Sequence, residues 1–238
     1  MRYMNKIAER LFFDKWVRSG RMPSSFFNMF LTACNRSRLT RVNSDHAYSR
    51  HKLFELPSTS FTISRNTLIW IYARLLRSRP SSILEMGSGL STYAHSIYLH
   101  EQNPSGRLTT IDHDLSWLGA TQDMLNANGH VSCKVNFYHA PIGSANKIWG
   151  SGYDLPENLS GQFDWLLIDG PPSSIGRLAT LPTAWSYLEN GANIFLDDAE
   201  RSAEQETIRR WLEFYGSNLE FKGLLPLGKG LAWFIKKI

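Results

Sequence analysis

The 238-residue chain has little cysteine and no long apolar run. Its two cysteines, Cys34 and Cys133, are too few for a disulfide framework and read as reduced, inert thiols. The apolar segment T-L-I-W-I-Y-A-R-L-L, residues 67–76, is interrupted by Arg74 and is about half of the ~20 residues that a membrane-spanning helix needs. No charged start followed by an apolar stretch and a small-residue cleavage site opens the sequence. The expectation is a cytoplasmic protein without a transmembrane segment. No internal repeat is found either. What is present, 42% hydrophobic and 13% aromatic residues, excludes a disordered chain and is ample for one sizeable core.

Acidic residues are sparse at the front. Residues 1–80 hold 15 Lys plus Arg against 4 Asp plus Glu, whereas the remainder holds 11 against 17. Such a basic segment can hold RNA phosphates, lie on an anionic membrane surface, gather an acidic substrate, or be a solvated face. No recognisable nucleic-acid module accompanies it. Met4, Ile7, Ala8 and Leu11 recur at helical spacing, and Gly20 with Pro23 ends that helix. The stripe caps a core or touches a membrane surface, although Lys15 and Arg18 on the same stripe argue against a long membrane face. Asn35 to Ser60 reads as a loop or linker. The division expected is a basic, mainly helical extension over residues 1–63 and one enzyme domain over 64–238.

The richest stretch is S-I-L-E-M-G-S-G-L-S-T, Ser82 to Thr92. An apolar run ends in Glu85 and breaks into a glycine-serine turn, as when a buried parallel strand delivers its last residue to a ligand loop. Gly87 and Gly89 would let the backbone approach a cofactor, and a helix should follow near Ser91. A second apolar run, R-L-T-T-I-D, ends in Asp112, 27 positions beyond Glu85, the spacing of a strand, helix and parallel strand. An acid there can accept ribose hydroxyls. F-D-W-L-L-I-D-G-P-P places Asp169 at a third tip, and G-A-N-I-F-L-D-D-A-E places Asp197 and Asp198 at a fourth. Acids are rare on buried strands, and open α/β sheets bind ligands at the carboxyl ends, so the coincidence points to a site.

E-M-G-S-G-L-S-T, I-D-H-D, L-L-I-D-G-P-P and I-F-L-D-D-A-E-R, in that order, resemble the successive motifs of class I S-adenosylmethionine-dependent methyltransferases. The resemblance covers about residues 64–238. It implies a Rossmann-like α/β fold with a seven-stranded sheet whose last strand is antiparallel, and S-adenosyl-L-methionine lying across the first two strand tips. Glu85, Gly87, Ser88, Gly89, Ser91, Asp112 and His113 would then contact the donor, with His139 and Ala140 lining the same pocket from the third strand. Ser91 stands where the family's loop usually has a third glycine.

Methyl transfer from a sulfonium is an in-line displacement, so the protein must align the acceptor with the methyl group and weaken the acceptor's proton. Asp169 precedes Asp197 and Asp198 by 28 and 29 positions, a spacing that sets three carboxylates at neighbouring tips. Three hard oxygen ligands suit Mg²⁺ or a similar divalent ion. The arrangement resembles catechol-type O-methyltransferases, but the pair is Asp-Asp rather than Asp-Asn, and Pro172 occupies the place of their lysine base. The alternative is that Asp197 and Asp198 cap the next helix while Asp169 acts as a metal-free base. Arg201 would bind an anionic acceptor or bridge to a neighbouring acid. Asp169 and Arg201 are the catalytic candidates.

The D-G-P-P tip also invites comparison with amino-methylating nucleic-acid enzymes, but Gly170 intervenes and Ser173 replaces their aromatic. The reading favoured is O-methylation of a small-molecule or glycan acceptor. Its rivals are an RNA methyltransferase docking through the basic front and a binding protein that keeps the donor pocket without turnover. Elsewhere the pattern predicts a helix from Ser64 stopped by Pro80, a helix after Asp112 closed by Gly129, a third strand over residues 131–140, helices over Arg177–Leu188 and Glu200–Tyr215, and a closing hairpin over about Leu219–Leu225 and Leu231–Lys237. Residues 141–162 read as an unusually long connection, in which Lys147, Trp149 and Tyr153 cover a ligand or anchor the loop to the core.

Overall fold

The computed structural model describes residues 62–128, 134–146 and 148–238. The N-terminal stripe, the basic charge before residue 62, Cys34, Gly129, Cys133 and Lys147 lie outside the described residues. Chain order is α1 (Arg65–Ser78), β1 (Ser82–Met86), α2 (Leu90–Gln102), β2 (Arg107–Asp112), α3 (Leu115–Ala127), β3 (Lys134–His139) and the hairpin β4 (Ile142–Asn146) with β5 (Gly150–Tyr153). Then follow β6 (Phe163–Ile168), α4 (Thr180–Ala184), β7 (Leu188–Asp197), α5 (Ser202–Tyr215), β8 (Leu219–Leu225) and β9 (Leu231–Lys236).

Local chemistry sets these boundaries. The Ser64 hydroxyl accepts the Thr67 N–H and caps α1, which ends at Arg79 in the left-handed conformation just before Pro80. Asp114 caps α3 by accepting the Ser116 and Trp117 N–H groups. The main sheet has seven strands in the order β3-β2-β1-β6-β7-β9-β8. Strands β3, β2, β1, β6 and β7 run parallel, and β9 inserts antiparallel between β7 and β8.

Side chains alternate across this sheet. Leu84, Met86, Ile111, Leu166, Ile168 and Leu196 face a layer that includes the hairpin and α5. Ile83, Leu108, Trp165, Leu167 and Phe195 face α1 and α2. The parallel register aligns Met86 with Ile111 and Ile168, and Ile168 with Leu196, so the tips of β2, β1, β6 and β7 share one edge. Among the described residues no helix is long and apolar enough to cross a membrane.

Two expectations are corrected. The connection after β3 is not structureless: β4 and β5 pair antiparallel, Ile142 against Tyr153 and Gly143 against Gly152. Their Gly- and Ser-rich sequence hides the apolar alternation that announces a strand, and the buried Trp149 and Tyr153 supply the anchors instead. The helix expected over Arg177–Leu188 shrinks to α4 and a single 3₁₀ turn, Trp185–Tyr187, while Leu188 already opens β7. Gly176 has φ 88, and the Arg177 side chain is held inward, so the chain turns there rather than coiling.

Trp211 of α5 is fully buried, and its indole N–H donates to the Leu178 carbonyl at 2.8 Å. Trp211→Ala is expected to lower unfolding free energy by about 3–5 kcal/mol, read as a lower urea midpoint.

Candidate active site

The loop between β1 and α2 is fastened from below. Alternation along β1 turns Glu85 towards α2, where it is completely buried. One carboxylate oxygen accepts the Thr92 hydroxyl at 2.5 Å and the Thr110 hydroxyl at 2.9 Å, and the other lies 3.3 Å from His95 Nδ1. Thr92 in turn accepts the Gly89 N–H at 2.9 Å. Glu85 was expected to touch the donor. Here it organises the loop from the opposite side of the strand, because the pleat points it away from the cleft. Ser91 is likewise buried, in the first turn of α2.

Gly87, with φ 98, crosses closely over the β6 tip, where a Cβ would overlap the backbone of Asp169 and Gly170. At the β2 tip, one oxygen of Asp112 accepts the Ser88 N–H at 2.8 Å and the Ser88 hydroxyl at 3.0 Å. The other accepts the Asp114 N–H at 3.1 Å and lies 3.1 Å from His113 Nδ1. Its lone pairs are therefore occupied. The Ser88 hydroxyl and the His113 ring are rotatable partners, while the two backbone bonds hold the carboxylate in place. His139 Nε2 lies 3.0 Å from the His113 carbonyl, and the Ala140 N–H donates to the Asp112 carbonyl. Trp117, which the sequence did not single out, donates its indole N–H to the Ser88 carbonyl at 2.6 Å.

Asp169, Asp197 and Asp198 meet at the adjoining tips of β6 and β7, and each can offer an oxygen within 4.8 Å of the others. The group that fixes them is Arg177, 4% exposed. Its guanidinium donates to the carbonyls of Pro171 at 3.1 Å, Asp197 at 2.9 Å and Asp169 at 2.5 Å. It also lies 3.4 Å from an Asp169 carboxylate oxygen and 3.3 Å from one of Asp198. Sequence reading had it only as the start of a helix; its partners are dispersed over the chain, and no local pattern announces them. Arg201, expected to hold an acceptor or bridge to an acid, contacts Asp198 at 2.9 Å.

Two guanidinium groups face three carboxylates. Desolvation, then the neighbouring Asp197 charge, pushes Asp169 well above the ordinary carboxylate range against the pull of Arg177. Desolvation and Asp198 raise Asp197 to about 6. The donor set is all oxygen, the spacing is compatible with the coordination sphere of a hard cation, and the charge is under-compensated, so the three acids fit a divalent ion.

A raised carboxylate holds its proton longer in the folded than in the unfolded chain, so stability falls as pH rises between the two values. Without added divalent cation, stability is expected to decline from about pH 4 through about pH 6, the folded value of Asp197. Asp197→Asn should flatten that decline in urea titrations at stepped pH.

Residues 84–199 match the family model of a methyltransferase domain. No curated protein matches the sequence. A methyltransferase from Podospora anserina, solved with S-adenosylhomocysteine, is similar at 16% identity and TM-score 0.60, over 86% of this chain and 97% of that one. The O-methyltransferase from Bacillus cereus, also in complex with S-adenosylhomocysteine, shares 15% identity over 90% of this chain and 100% of its own, with TM-score 0.56. The O-methyltransferase TomG from Streptomyces achromogenes, involved in tomaymycin synthesis and solved with S-adenosylmethionine, shares 19% over 91% and 100%, with TM-score 0.54. The sheet order, with its antiparallel last strand, is that of the class I methyltransferase fold. The chain thus carries a methyltransferase domain that begins in β1 and ends just past the β7 tip, on the class I S-adenosylmethionine-dependent methyltransferase fold.

Proposed function

We propose that the protein transfers the methyl group of S-adenosylmethionine to an oxygen of a small-molecule or sugar-like acceptor, assisted by a divalent cation. The observation that carries this reading is the convergence of Asp169, Asp197 and Asp198 beside the Gly87 loop, with no lysine where catechol-type enzymes have their base. Support for oxygen as the target comes also from the O-methyltransferases of similar fold. Asp169, Asp197 and Asp198 would hold the ion, which supplies a Lewis acid that acidifies an acceptor hydroxyl at neutral pH.

The chain's own groups do the remaining work. Gly87 and Gly89 admit the donor against the backbone, and Asp112 accepts its ribose hydroxyls once Ser88 and His113 turn aside. Arg177 holds the tips of β6 and β7 at fixed separation, so that acceptor and methyl group stay in line. With the ion held by the three acids the hydroxyl proton would pass to solvent; in the metal-free alternative Asp169, whose proton affinity burial and the Asp197 charge raise, would receive it instead. Arg201 holds the Asp198 carboxylate in place through its 2.9 Å contact. In this reading the basic segment before residue 62 gathers a polar or anionic acceptor.

Calorimetry should register S-adenosylhomocysteine binding to the wild type, and Asp112→Ala should weaken it about 10- to 100-fold through lost hydrogen bonds to a charged group. Turnover of a phenol or glycan acceptor should vanish on exhaustive chelation and return with Mg²⁺, while S-adenosylhomocysteine affinity stays unchanged. Full turnover in chelator would leave Asp169 as a metal-free base.

A further inference from the structure

Tyr153 ends the β4–β5 hairpin and is 2% exposed, yet its hydroxyl has no hydrogen-bond partner among the described residues. The hydroxyl rests against Gly170: a Cβ on that glycine would overlap the phenol oxygen, and the same position is 2.9 Å from Gly87 Cα. The Tyr153 ring stands edge to face with His113, their centroids 6.3 Å apart. Three pieces of the donor edge therefore surround one phenol: the Gly87 loop, the Asp112–His113 tip and the Asp169–Gly170 tip. Tyr153 also lines a cavity of about 720 Å³ together with Trp149, Asp154, Trp185, Phe214 and Tyr215.

A buried hydroxyl without a partner costs the fold free energy, so a position that only had to be filled would be better served by phenylalanine. The phenol stays protonated, since desolvation and the Asp112 charge both push its pKa well above the ordinary tyrosine value. It is thus an unpartnered hydrogen-bond donor packed against Gly170, beside the Gly87 loop.

We propose that the Tyr153 hydroxyl binds the methyl donor directly, giving a hydrogen bond to a ribose or carboxylate oxygen of the S-adenosyl group and latching the hairpin against the strand tips. The proposal rests on the donor site described above. It gives the hairpin, which stands between β3 and β6 in the chain, a task at the reaction edge, and it explains why Gly170 has no side chain: any Cβ would displace the phenol.

Tyr153→Phe is the test, read in two ways. Removal of an unpartnered hydroxyl should leave the melting temperature of the ligand-free protein unchanged or higher, while S-adenosylhomocysteine affinity by calorimetry falls about tenfold, the worth of one hydrogen bond. With 5′-methylthioadenosine, which lacks the amino-acid portion, an equal loss assigns the bond to the ribose and no loss assigns it to the carboxylate. Unchanged or tighter S-adenosylhomocysteine binding by the folded variant overturns the proposal. Failure of the wild type itself to bind S-adenosylhomocysteine overturns the donor site instead, and the two failures are distinguishable.

Discussion

The site hangs on one backbone junction. The Met86 carbonyl, at the end of β1, accepts the N–H groups of both Asp169 and Gly170, at 2.8 and 2.7 Å. This double bond to a single carbonyl brings the β1 loop and the β6 tip into van der Waals contact, which only glycine at positions 87 and 170 allows. From it follow the position of Asp169, the direction in which the chain leaves β6, and the pocket into which the Tyr153 phenol fits. The Gly87 N–H, bonded to the Ile111 carbonyl at 2.8 Å, extends the same clamp to β2 and thereby to Asp112.

A second constraint is electrostatic. Three carboxyl groups, those of Asp169, Asp197 and Asp198, cluster at one sheet edge, and their mutual repulsion at low dielectric would open the tips if nothing opposed it. Arg177 opposes it mainly by binding backbone carbonyls of Pro171, Asp169 and Asp197, with the Asp169 and Asp198 carboxylates at longer range. The guanidinium therefore staples two strand ends together. Glu85 lies on the opposite face, 3.3 Å from His95 Nδ1, yet its charge still adds to the upward push on Asp169.

Much of this was legible in the sequence because it is local. Apolar runs of strand length ending in acids at strand-helix-strand spacing placed Asp112, Asp169, Asp197 and Asp198 on one edge, and the order of the motifs gave the parallel sheet with its closing hairpin. The β4–β5 hairpin was not legible: its strands are written in glycine and serine, and its stability comes from Trp149 and Tyr153 docking onto residues distant in the chain. Nor was the turn at Arg177, where an apparent helical pattern lost to a side chain whose hydrogen bonds lie inside.

The sequence by itself determined which residue types stand at the strand tips, since β1, β2 and β6 are each an apolar run buried on both faces that must end where the acids begin. Tertiary structure alone decided what those residues face. The pleat turned Glu85 beneath the loop rather than into the cleft, Asp112 acquired partners on Ser88 and Asp114, and an arginine five residues past the D-G-P-P tip became the centre of the acidic cluster. Side-chain direction, and hydrogen bonds between segments separated by tens of residues, depend on how strands align in space, and no local pattern encodes that alignment.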